Sequence, residues 1–236
     1  MKRFIFDVDG TLTPSRGLIN PEFKLWFNNF CNENSVYLVT GSDKPKTIEQ
    51  IGEDSYNLCE TVFNCNGNSH WHGDQEGWQN DWILPEEPHE WLSHMLTKSS
   101  FPKRTGFHFD HRPGMVNFSI VGRNANKQER SEYVDFDTAH KERVFISNKF
   151  NNTFEGLTAM IGGETGIDIS PDGFDKGQIL NTFNDGDELH FFGDAMQKGG
   201  NDYPLARKIL DRDNGFCYNI KNWETTWKIL KTITQE

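Results

Sequence analysis

The chain has 236 residues, of which 35 are acidic and 24 are Lys or Arg, so its formal net charge is -11 at pH 7. This acidic balance, without any tract rich in Lys and Arg, argues against generic binding to nucleic acid or to an anionic membrane surface. Aromatic residues make up 13% of the chain, and a chain of this length buries roughly 70–75% of its unfolded surface. We therefore expect a folded protein with one large domain or two smaller ones.

The sequence predicts neither a membrane span nor a targeting segment. No apolar run approaches the roughly 20 residues that a membrane-spanning helix needs, and the N-terminal MKRFIFDVDG carries acids inside its apolar run, unlike a signal or transit peptide. The cysteines form no Cys-x-x-Cys pair, which favours buried free thiols in a reducing cytosol over disulfides or zinc ligands. These cysteines are Cys31, Cys59, Cys65 and Cys217. We therefore expect a cytoplasmic protein.

Strands and helices alternate in the first part of the chain. Residues 3–8 (RFIFDV) are typical of a short buried strand, and Asn20-Pro21 is typical of a helix start with Asn as the cap. That helix has an apolar face with the spacing i, i+3, i+4, i+7 and i+8, formed by Phe23, Trp26, Phe27, Phe30 and Cys31. The next predicted elements are a strand at 36–40, a helix at 45–51 and a strand at 61–65. This order predicts a parallel sheet with helices on both faces.

The middle of the chain, residues 76–170, predicts an α+β insert with its own small sheet. Its predicted elements are a helix within 76–100, strands in FHFDHR and MVNFSIVG joined through Pro113-Gly114, a charged helical stretch at about 125–150, and two strands in LTAMIGGETGIDIS. The parallel pattern returns after Pro171, with a helix at 176–183, a strand at 188–194, a helix near 203–212, the strand GFCYNI and a last helix containing Trp223, Trp227 and Leu230. We thus predict an α/β protein with a doubly wound parallel-sheet core (1–75 and 171–236) and an inserted α+β cap domain (76–170).

Four polar motifs fall at the ends of predicted core strands or at the start of a core helix. They are DVDGT at 7–11, Thr40-Gly41-Ser42, Lys176 after a Pro-Asp-Gly turn, and GDAMQKGGND at 193–202. Ligands bind open parallel sheets at the carboxyl ends of the strands. Any one of these motifs alone is more often a turn, a cap or a solvated side chain. Together and in this order they favour a magnesium site that forms an aspartyl phosphate.

The four motifs resemble motifs one to four of the haloacid dehalogenase superfamily of phosphotransferases. The resemblance implies that Asp7 attacks phosphorus and that Asp9 is the general acid and base. It implies that Mg²⁺ is bound by Asp7, Asp194 and the backbone carbonyl of Asp9, with Asp202 in support of the metal and of Lys176. Lys176 and the hydroxyl of Ser42 would then hold the phosphoryl oxygens.

The insert resembles the cap of the eukaryotic-type phosphomannomutase family. The resemblance rests on HRPGMVNFSIVGR (111–123), Glu129-Arg130 and GIDISPDGFDK (166–176). It implies that three arginines bind the phosphate that is not reacting, since the planar guanidinium binds such oxygens in pairs. These arginines are Arg112, Arg123 and Arg130. Arg16 would reach the sugar from the core, and Asp168 would accept hydrogen bonds from its hydroxyls.

A mutase of this family would interconvert mannose 6-phosphate and mannose 1-phosphate, with a hexose 1,6-bisphosphate as intermediate and activator. The resemblance also implies a homodimer through the cap, of which the residues give no independent sign. Gly166 replaces a family serine, and 207–210 does not reproduce a further metal loop of the family. A Mg²⁺-dependent sugar-phosphate phosphatase is therefore the alternative, and a non-catalytic sugar-phosphate binding protein is a third hypothesis.

Overall fold

The computed structural model describes residues 1–233, which form two compact units. The first unit contains Met1–Gln79 together with Phe174 and the residues after it, and the second contains Asn80–Gly173. The sequence placed these two boundaries at 75/76 and at 170/171. In the structure the boundaries lie slightly later, because a strand that ends at Gln79 pairs within the first unit and because the N–H of Asp172 donates to the carbonyl of Gly156 in the second.

Strands and helices alternate along most of the chain. The strands are β1 (Lys2–Phe6), β2 (Ser35–Val39), β3 (Thr61–Asn64), β4 (Ser69–His72), β5 (Gln75–Gln79), β6 (Phe109–Arg112), β7 (Met115–Phe118), β8 (Leu157–Gly162), β9 (Gly166–Pro171), β10 (Glu188–Gly193) and β11 (Gly215–Asn219). The helices are α1 (Pro21–Glu33), α2 (Lys44–Ile51), α3 (Glu53–Leu58), α4 (Glu86–Lys98), α5 (Lys127–His140), α6 (Glu142–Thr153), α7 (Tyr203–Leu210) and α8 (Trp223–Ile233). Cys65–Gly67 and Lys176–Thr182 form 3-10 helices.

The first unit is built on a seven-stranded sheet in the order β11-β10-β1-β2-β3-β4-β5. The five strands from β11 to β3 are parallel to one another. Strand β4 pairs antiparallel with β3 on one side and with β5 on the other. Successive side chains of β1 point to opposite faces of the sheet. Phe4 and Phe6 pack in the core that contains residues of α1, and Ile5 packs in the core that contains residues of α7. Both faces of the sheet are therefore apolar and covered, which confirms the doubly wound α/β core.

Helix α1 confirms the prediction made from its capping residue and apolar spacing. The side chain of Asn20 accepts hydrogen bonds from the N–H groups of Glu22 and Phe23, at 3.0 and 3.1 Å, and so satisfies two of the free donors at the helix start. Most of the apolar face is buried, and its Phe27 ring packs edge-on against Phe6 of β1, with centroids 5.5 Å apart. This contact fixes α1 against the strand that leads into Asp7.

Three features of the first unit differ from the sequence prediction. The β4–β5 hairpin and α3 were not predicted, and residues 176–182 form a 3-10 helix. The β4–β5 hairpin turns at Gly73, which has a φ of 57°. Lys44 supports it by donating to the carbonyl of Gly73 at 3.1 Å and by lying 3.9 Å above the Trp71 ring. All residues of β5 are exposed, and its sequence QEGWQ does not alternate between apolar and polar residues. The sequence therefore carries no pattern that would predict a strand there.

The second unit contains a small sheet of its own, as predicted, and its strands are antiparallel in the order β6-β7-β9-β8. Val116 and Phe118 of β7 pack in an apolar core with residues of α4, α5 and α6. Side chains alternate between the two faces of a strand, so Asn117 lies on the opposite face. The register places Asn117 opposite Asp110 on β6 and opposite Asp168 on β9. A polar row therefore crosses the face of the sheet opposite this apolar core.

The charged helical stretch predicted at about 125–150 consists of two helices, α5 and α6. The break is at Lys141, which has a φ of 56°, a left-handed conformation that costs free energy in a residue other than glycine. Asp137 stabilises the break, since its carboxylate accepts from the backbone N–H of Arg143 and from its Nε, both at 2.8 Å. Arg143 is thereby fixed at the start of α6.

None of the helices in residues 1–233 combines the length and apolar character that a membrane span requires. The four cysteines are free thiols, and three of them are buried.

Candidate active site

The DVDGT motif forms the turn that follows β1. The N–H of Asp7 donates to the carbonyl of Phe192 at 2.9 Å, which extends the β1–β10 pairing by one residue and places Asp7 beside the end of β10. Gly10 has a φ of 81°, and a Cβ there would lie 2.3 Å from an oxygen of Asp194. The motif therefore needs glycine for its backbone conformation and for the close approach of Asp194.

Lys176 is wholly buried between two carboxylates. Its Nζ lies 2.6 Å from Oδ1 of Asp7 and 2.8 Å from Oδ1 of Asp202, and the other oxygen of Asp202 accepts the N–H of Ala195 at 3.0 Å. Burial alone would lower the pKa of Lys176, but Asp202 and Asp7 outweigh it and raise that pKa above its ordinary value. Lys176 is therefore positively charged across the physiological range.

Asp7, Asp194 and Asp202 form an acidic cluster whose ligand oxygens all lie within 4.8 Å of one another. Burial and the two neighbouring carboxylates raise the pKa of Asp7, and the attraction of Lys176 opposes this shift. Asp194 retains an exposed face, yet desolvation of its carboxyl, and then the charge of Asp202, raise its pKa to about 7. Lys176 thus leaves part of the negative charge unbalanced. An oxygen-only donor set with excess negative charge fits Mg²⁺.

The side chain of Asp9 is held by residues outside this cluster. Its Oδ1 accepts the backbone N–H of Arg16 and the Nε2 of Gln50, the latter at 2.9 Å, and the Ser42 hydroxyl lies 3.5 Å from its Oδ2. The structure thus brings Asp9, Arg16 and Ser42 together, with the backbone of Arg16 as the contacting group. A metal contact through the backbone carbonyl of Asp9 and a sugar contact through the Arg16 side chain stay predictions.

Gln50 is a site residue that the sequence analysis missed. It is buried on α2, and its amide donates to Thr13 as well as to Asp9, at 3.3 and 2.9 Å. These bonds orient the carboxylate expected to act as acid and base. The only signal in the sequence is a polar residue next to Ile51 on the buried side of a short helix.

The loop that contains Ser42 is fastened by the segment after β3. The carbonyl of Ser42 accepts from the N–H of Cys65 at 3.0 Å and from the side-chain amide of Asn64 at 3.1 Å, and the carbonyl of Thr40 accepts from the N–H of Asn66 at 2.8 Å. Cys65 and Asn66 have φ values of 52° and 57°, so this segment holds an unfavourable backbone conformation in order to make these bonds. Ser42 is thereby held next to Asp9.

In the second unit, Arg112 and Arg123 meet at one carboxylate. Nε and Nη2 of Arg112 lie 3.2 and 2.6 Å from Oδ2 of Asp110, and the same two atoms of Arg123 lie 3.1 and 3.0 Å from that oxygen. Burial would raise the pKa of Asp110, but the two guanidinium groups overcome it and lower that pKa. Asp110, which the sequence analysis did not single out, therefore stays ionised and holds both arginines in one place.

Arg130 lies with a different partner. On α5, its Nε and Nη2 contact Oε2 of Glu164 at 3.2 and 2.9 Å, and its Nη1 donates to the hydroxyl of Thr165 at 3.1 Å. Both partners belong to the turn between β8 and β9. The structure therefore brings together two of the three arginines expected at the phosphate and attaches the third to this turn.

Asp168 lies in the polar row of the cap sheet. Its Oδ1 accepts from Nδ2 of Asn117 at 2.6 Å. Two glycines make room for the pair, since a Cβ on Gly166 would lie 2.4 Å from Asn117 and a Cβ on Gly162 would lie 2.4 Å from Asp168. Gly166 thus allows the Asn117 side chain to occupy the space beside it.

Comparisons with known proteins show which proteins this chain is similar to. Residues 24–236 match the family described as eukaryotic phosphomannomutase. A phosphomannomutase of Saccharomyces cerevisiae is 34% identical over 97% of this chain and 92% of the yeast protein, and one of Glycine max is 34% identical over 98% of this chain and 96% of the plant protein. A sugar phosphatase of subclass IIB of the haloacid dehalogenase superfamily superposes with a TM-score of 0.60 and 15% identity, over 99% of both chains. The last of these shows a shared fold.

Proposed function

The chain belongs to the eukaryotic phosphomannomutase family, and we propose that it interconverts mannose 6-phosphate and mannose 1-phosphate by carrying a phosphoryl group on Asp7. Such an enzyme is an isomerase that acts by phosphoryl transfer. The observation that carries the proposal is the contact of Asp7 with the buried, positively charged Lys176 at 2.6 Å, within a cluster of carboxylates.

The cycle begins with a phosphoryl group on Asp7, supplied by a hexose 1,6-bisphosphate acting as activator. The C1 hydroxyl of mannose 6-phosphate attacks phosphorus, the bond from phosphorus to Asp7 breaks, and mannose 1,6-bisphosphate forms. The bisphosphate then reorients so that its other phosphate faces Asp7. An oxygen of Asp7 attacks the phosphorus of that phosphate. The bond from phosphorus to the C6 oxygen then breaks, and mannose 1-phosphate leaves.

Lys176 and the acidic cluster prepare Asp7 for this chemistry. Lys176 holds Oδ1 of Asp7 and places a positive charge where the phosphoryl oxygens arrive. Asp7, Asp194 and the backbone carbonyl of Asp9 would hold Mg²⁺, with Asp202 orienting Lys176. When bound, the ion supplies positive charge that offsets repulsion between a carboxylate and an anionic phosphoryl group.

Asp9 is proposed to move the proton in both half-reactions. It takes the proton from the attacking hydroxyl and later protonates the sugar oxygen that leaves. Its hydrogen bonds with Gln50 and with the backbone of Arg16 hold the carboxylate in one orientation. The hydroxyl of Ser42, 3.5 Å from Asp9, would donate to a phosphoryl oxygen.

The cap supplies the proposed contacts to the rest of the substrate. Arg112, Arg123 and Arg130 would bind the non-reacting phosphate, and Asp168 would accept hydrogen bonds from the sugar hydroxyls. Support comes from the paired guanidinium groups on Asp110 and from the polar row that contains Asp168. The side chain of Arg16 would add a contact to the sugar.

We also propose that the enzyme is cytoplasmic and that it forms a homodimer through its cap. The free thiols are compatible with a reducing compartment. Sedimentation equilibrium of the purified chain measures the dimer directly, and a monomer at micromolar concentration would contradict it.

The test is phosphorus NMR of the purified protein with Mg²⁺, mannose 1-phosphate and a trace of hexose 1,6-bisphosphate. We expect a mannose 6-phosphate signal to grow without inorganic phosphate. Asp7→Asn should abolish the conversion, whereas Asp213→Asn, which removes an exposed carboxylate of the same unit, should leave it intact. Release of inorganic phosphate alone would instead identify a phosphatase. Full activity of Asp7→Asn would refute both enzymatic assignments.

A further inference from the structure

Arg130 is already occupied by a carboxylate. Its guanidinium is mostly buried, with 9% of the side chain exposed, and two of its N–H groups converge on one oxygen of Glu164. A phosphate offers several oxygens to the two parallel N–H groups of such a fork and carries more negative charge than a carboxylate. A phosphate would therefore bind to Arg130 more strongly than the carboxylate of Glu164 does, and in the same position.

The backbone around Glu164 is fixed independently of the Arg130–Glu164 ion pair. Nη1 of Arg143 donates to the carbonyls of Gly163 and Gly166 at 2.9 and 3.3 Å, and Arg143 is itself held by Asp137. These bonds fix both ends of the turn between β8 and β9. Movement of the Glu164 carboxylate away from Arg130 therefore requires only rotations within its own side chain.

The side chain of Glu164 has room to make that movement. It is 45% exposed, and the neighbouring Gly163 has open space where a Cβ would lie. Asp110 is different, because it sits on a strand, is only 25% exposed and is shared by two arginines. Of the two carboxylates that hold arginines of the cap, Asp110 is thus a fixed group and Glu164 a movable one.

We propose that Glu164 is a displaceable counter-ion, which occupies Arg130 in the substrate-free protein and yields it to the non-reacting phosphate of the substrate. Glu164 thereby sets the affinity of the phosphate site and, because displacement requires a strongly charged competitor, favours phosphorylated sugars over ligands with weaker negative charge. This inference rests on the proposed role of Arg130 in binding phosphate.

The test is the affinity of Glu164→Gln for mannose 6-phosphate, measured by titration calorimetry on the full chain with a chelator present so that turnover does not occur. A partly exposed ion pair is worth up to about 1 kcal/mol, so we expect the Kd to fall roughly two- to fivefold. In steady-state assays with Mg²⁺, KM should fall by a similar factor while kcat changes less. If the ion pair serves only to stabilise the turn, its loss should lower Tm and leave the Kd unchanged or raised.

Two control variants make the result specific. Glu155→Gln removes the same charge from an exposed glutamate of the same unit and should leave the Kd unchanged. In an Arg130→Gln background, which removes the positive charge that Glu164 occupies, Glu164→Gln should give no further gain. An equal gain from Glu155→Gln, or a full gain in the Arg130→Gln background, would overturn the proposal. So would an unchanged or raised Kd in Glu164→Gln.

Failure of the proposed function would give a different result. If phosphorus NMR showed no mannose 6-phosphate from the wild-type chain, the mutase assignment would fail. The calorimetric comparison would still decide whether Glu164 competes with a sugar phosphate for Arg130, because it needs no turnover.

Discussion

The two units of the chain contain charge clusters of opposite sign. In the core, three carboxylates surround one ammonium group, a formal charge of -2 when all are ionised. In the cap, Arg112 and Arg123 share the single carboxylate of Asp110, a formal charge of +1, and Arg130 is paired separately with Glu164. The first cluster lacks a cation and the second lacks an anion. The net charge of each cluster thus indicates the kind of ligand that it takes: the negative cluster takes a cation and the positive cluster takes an anion.

Burial also separates the two clusters. Lys176 and Asp202 have no exposed surface, so their attraction is little screened by solvent, whereas Glu164 is nearly half exposed and can exchange with water or ligand. The core cluster is therefore rigid and costly to disturb. The Arg130–Glu164 pair of the cap can reorganise around a ligand at small cost. The predictions below test this contrast, from the largest expected effect to the smallest.

Lys176→Met should have the largest effect, because it leaves two buried carboxylates without their cation. Removal of one partner from a buried ion pair costs about 3–5 kcal/mol of unfolding free energy. Loss of a charge at the reacting group lowers kcat by about 10²–10³-fold. Urea denaturation and the mutase assay measure the two effects. Lys208→Met, which loses a hydrogen bond to the carbonyl of Gly177, is the control. Equal effects from the two variants would contradict the view that the core cluster is costly to disturb.

Mg²⁺ should stabilise the core cluster, because it relieves repulsion among Asp7, Asp194 and Asp202. A ligand at one hundred times its Kd adds about 2.7 kcal/mol to the unfolding free energy. We expect a rise in Tm when MgCl₂ replaces NaCl at equal ionic strength. Asp194→Asn should lose most of this rise. The same rise in that variant would place the ion elsewhere.

Asp110→Asn should have a smaller effect, confined to substrate affinity. The loss of the charge shared by Arg112 and Arg123 leaves their guanidinium groups less well positioned, and hydrogen bonds to charged groups contribute about 1.5–3 kcal/mol. We expect KM for mannose 1-phosphate to rise about tenfold, with kcat changed less. This direction is opposite to that expected for Glu164→Gln. Asp135→Asn, an exposed change on α5, is the control, and a lowered KM in Asp110→Asn would show that Asp110 too is a displaceable group.

The sequence predicted those parts of the site that depend on local pattern. Asn20 as a helix cap, the buried strand before Asp7 and the hairpin at Pro113-Gly114 follow from short-range rules, and the structure confirms each of them. The β4–β5 hairpin, whose second strand is exposed, and the break at Lys141 were missed, because neither carries an apolar period that differs from its surroundings.

The partners of the charged residues were less predictable. Asp110 and Glu164 are ordinary acids in the sequence, and only the structure shows that each holds an arginine of the cap. Gln50 likewise reads as one polar residue in a short helix until the fold places it 2.9 Å from Asp9.

By itself the sequence determined the fold class, because strand period and helix caps are properties of neighbouring residues. Its strand-end motifs and the motifs of the insert carried the resemblance to the family to which the chain belongs. Tertiary structure alone decided which charges meet, since Lys176 reaches Asp7 across 169 residues of chain. A periodic pattern specifies which face of an element is buried, but the partner on that face depends on the register and packing of distant segments.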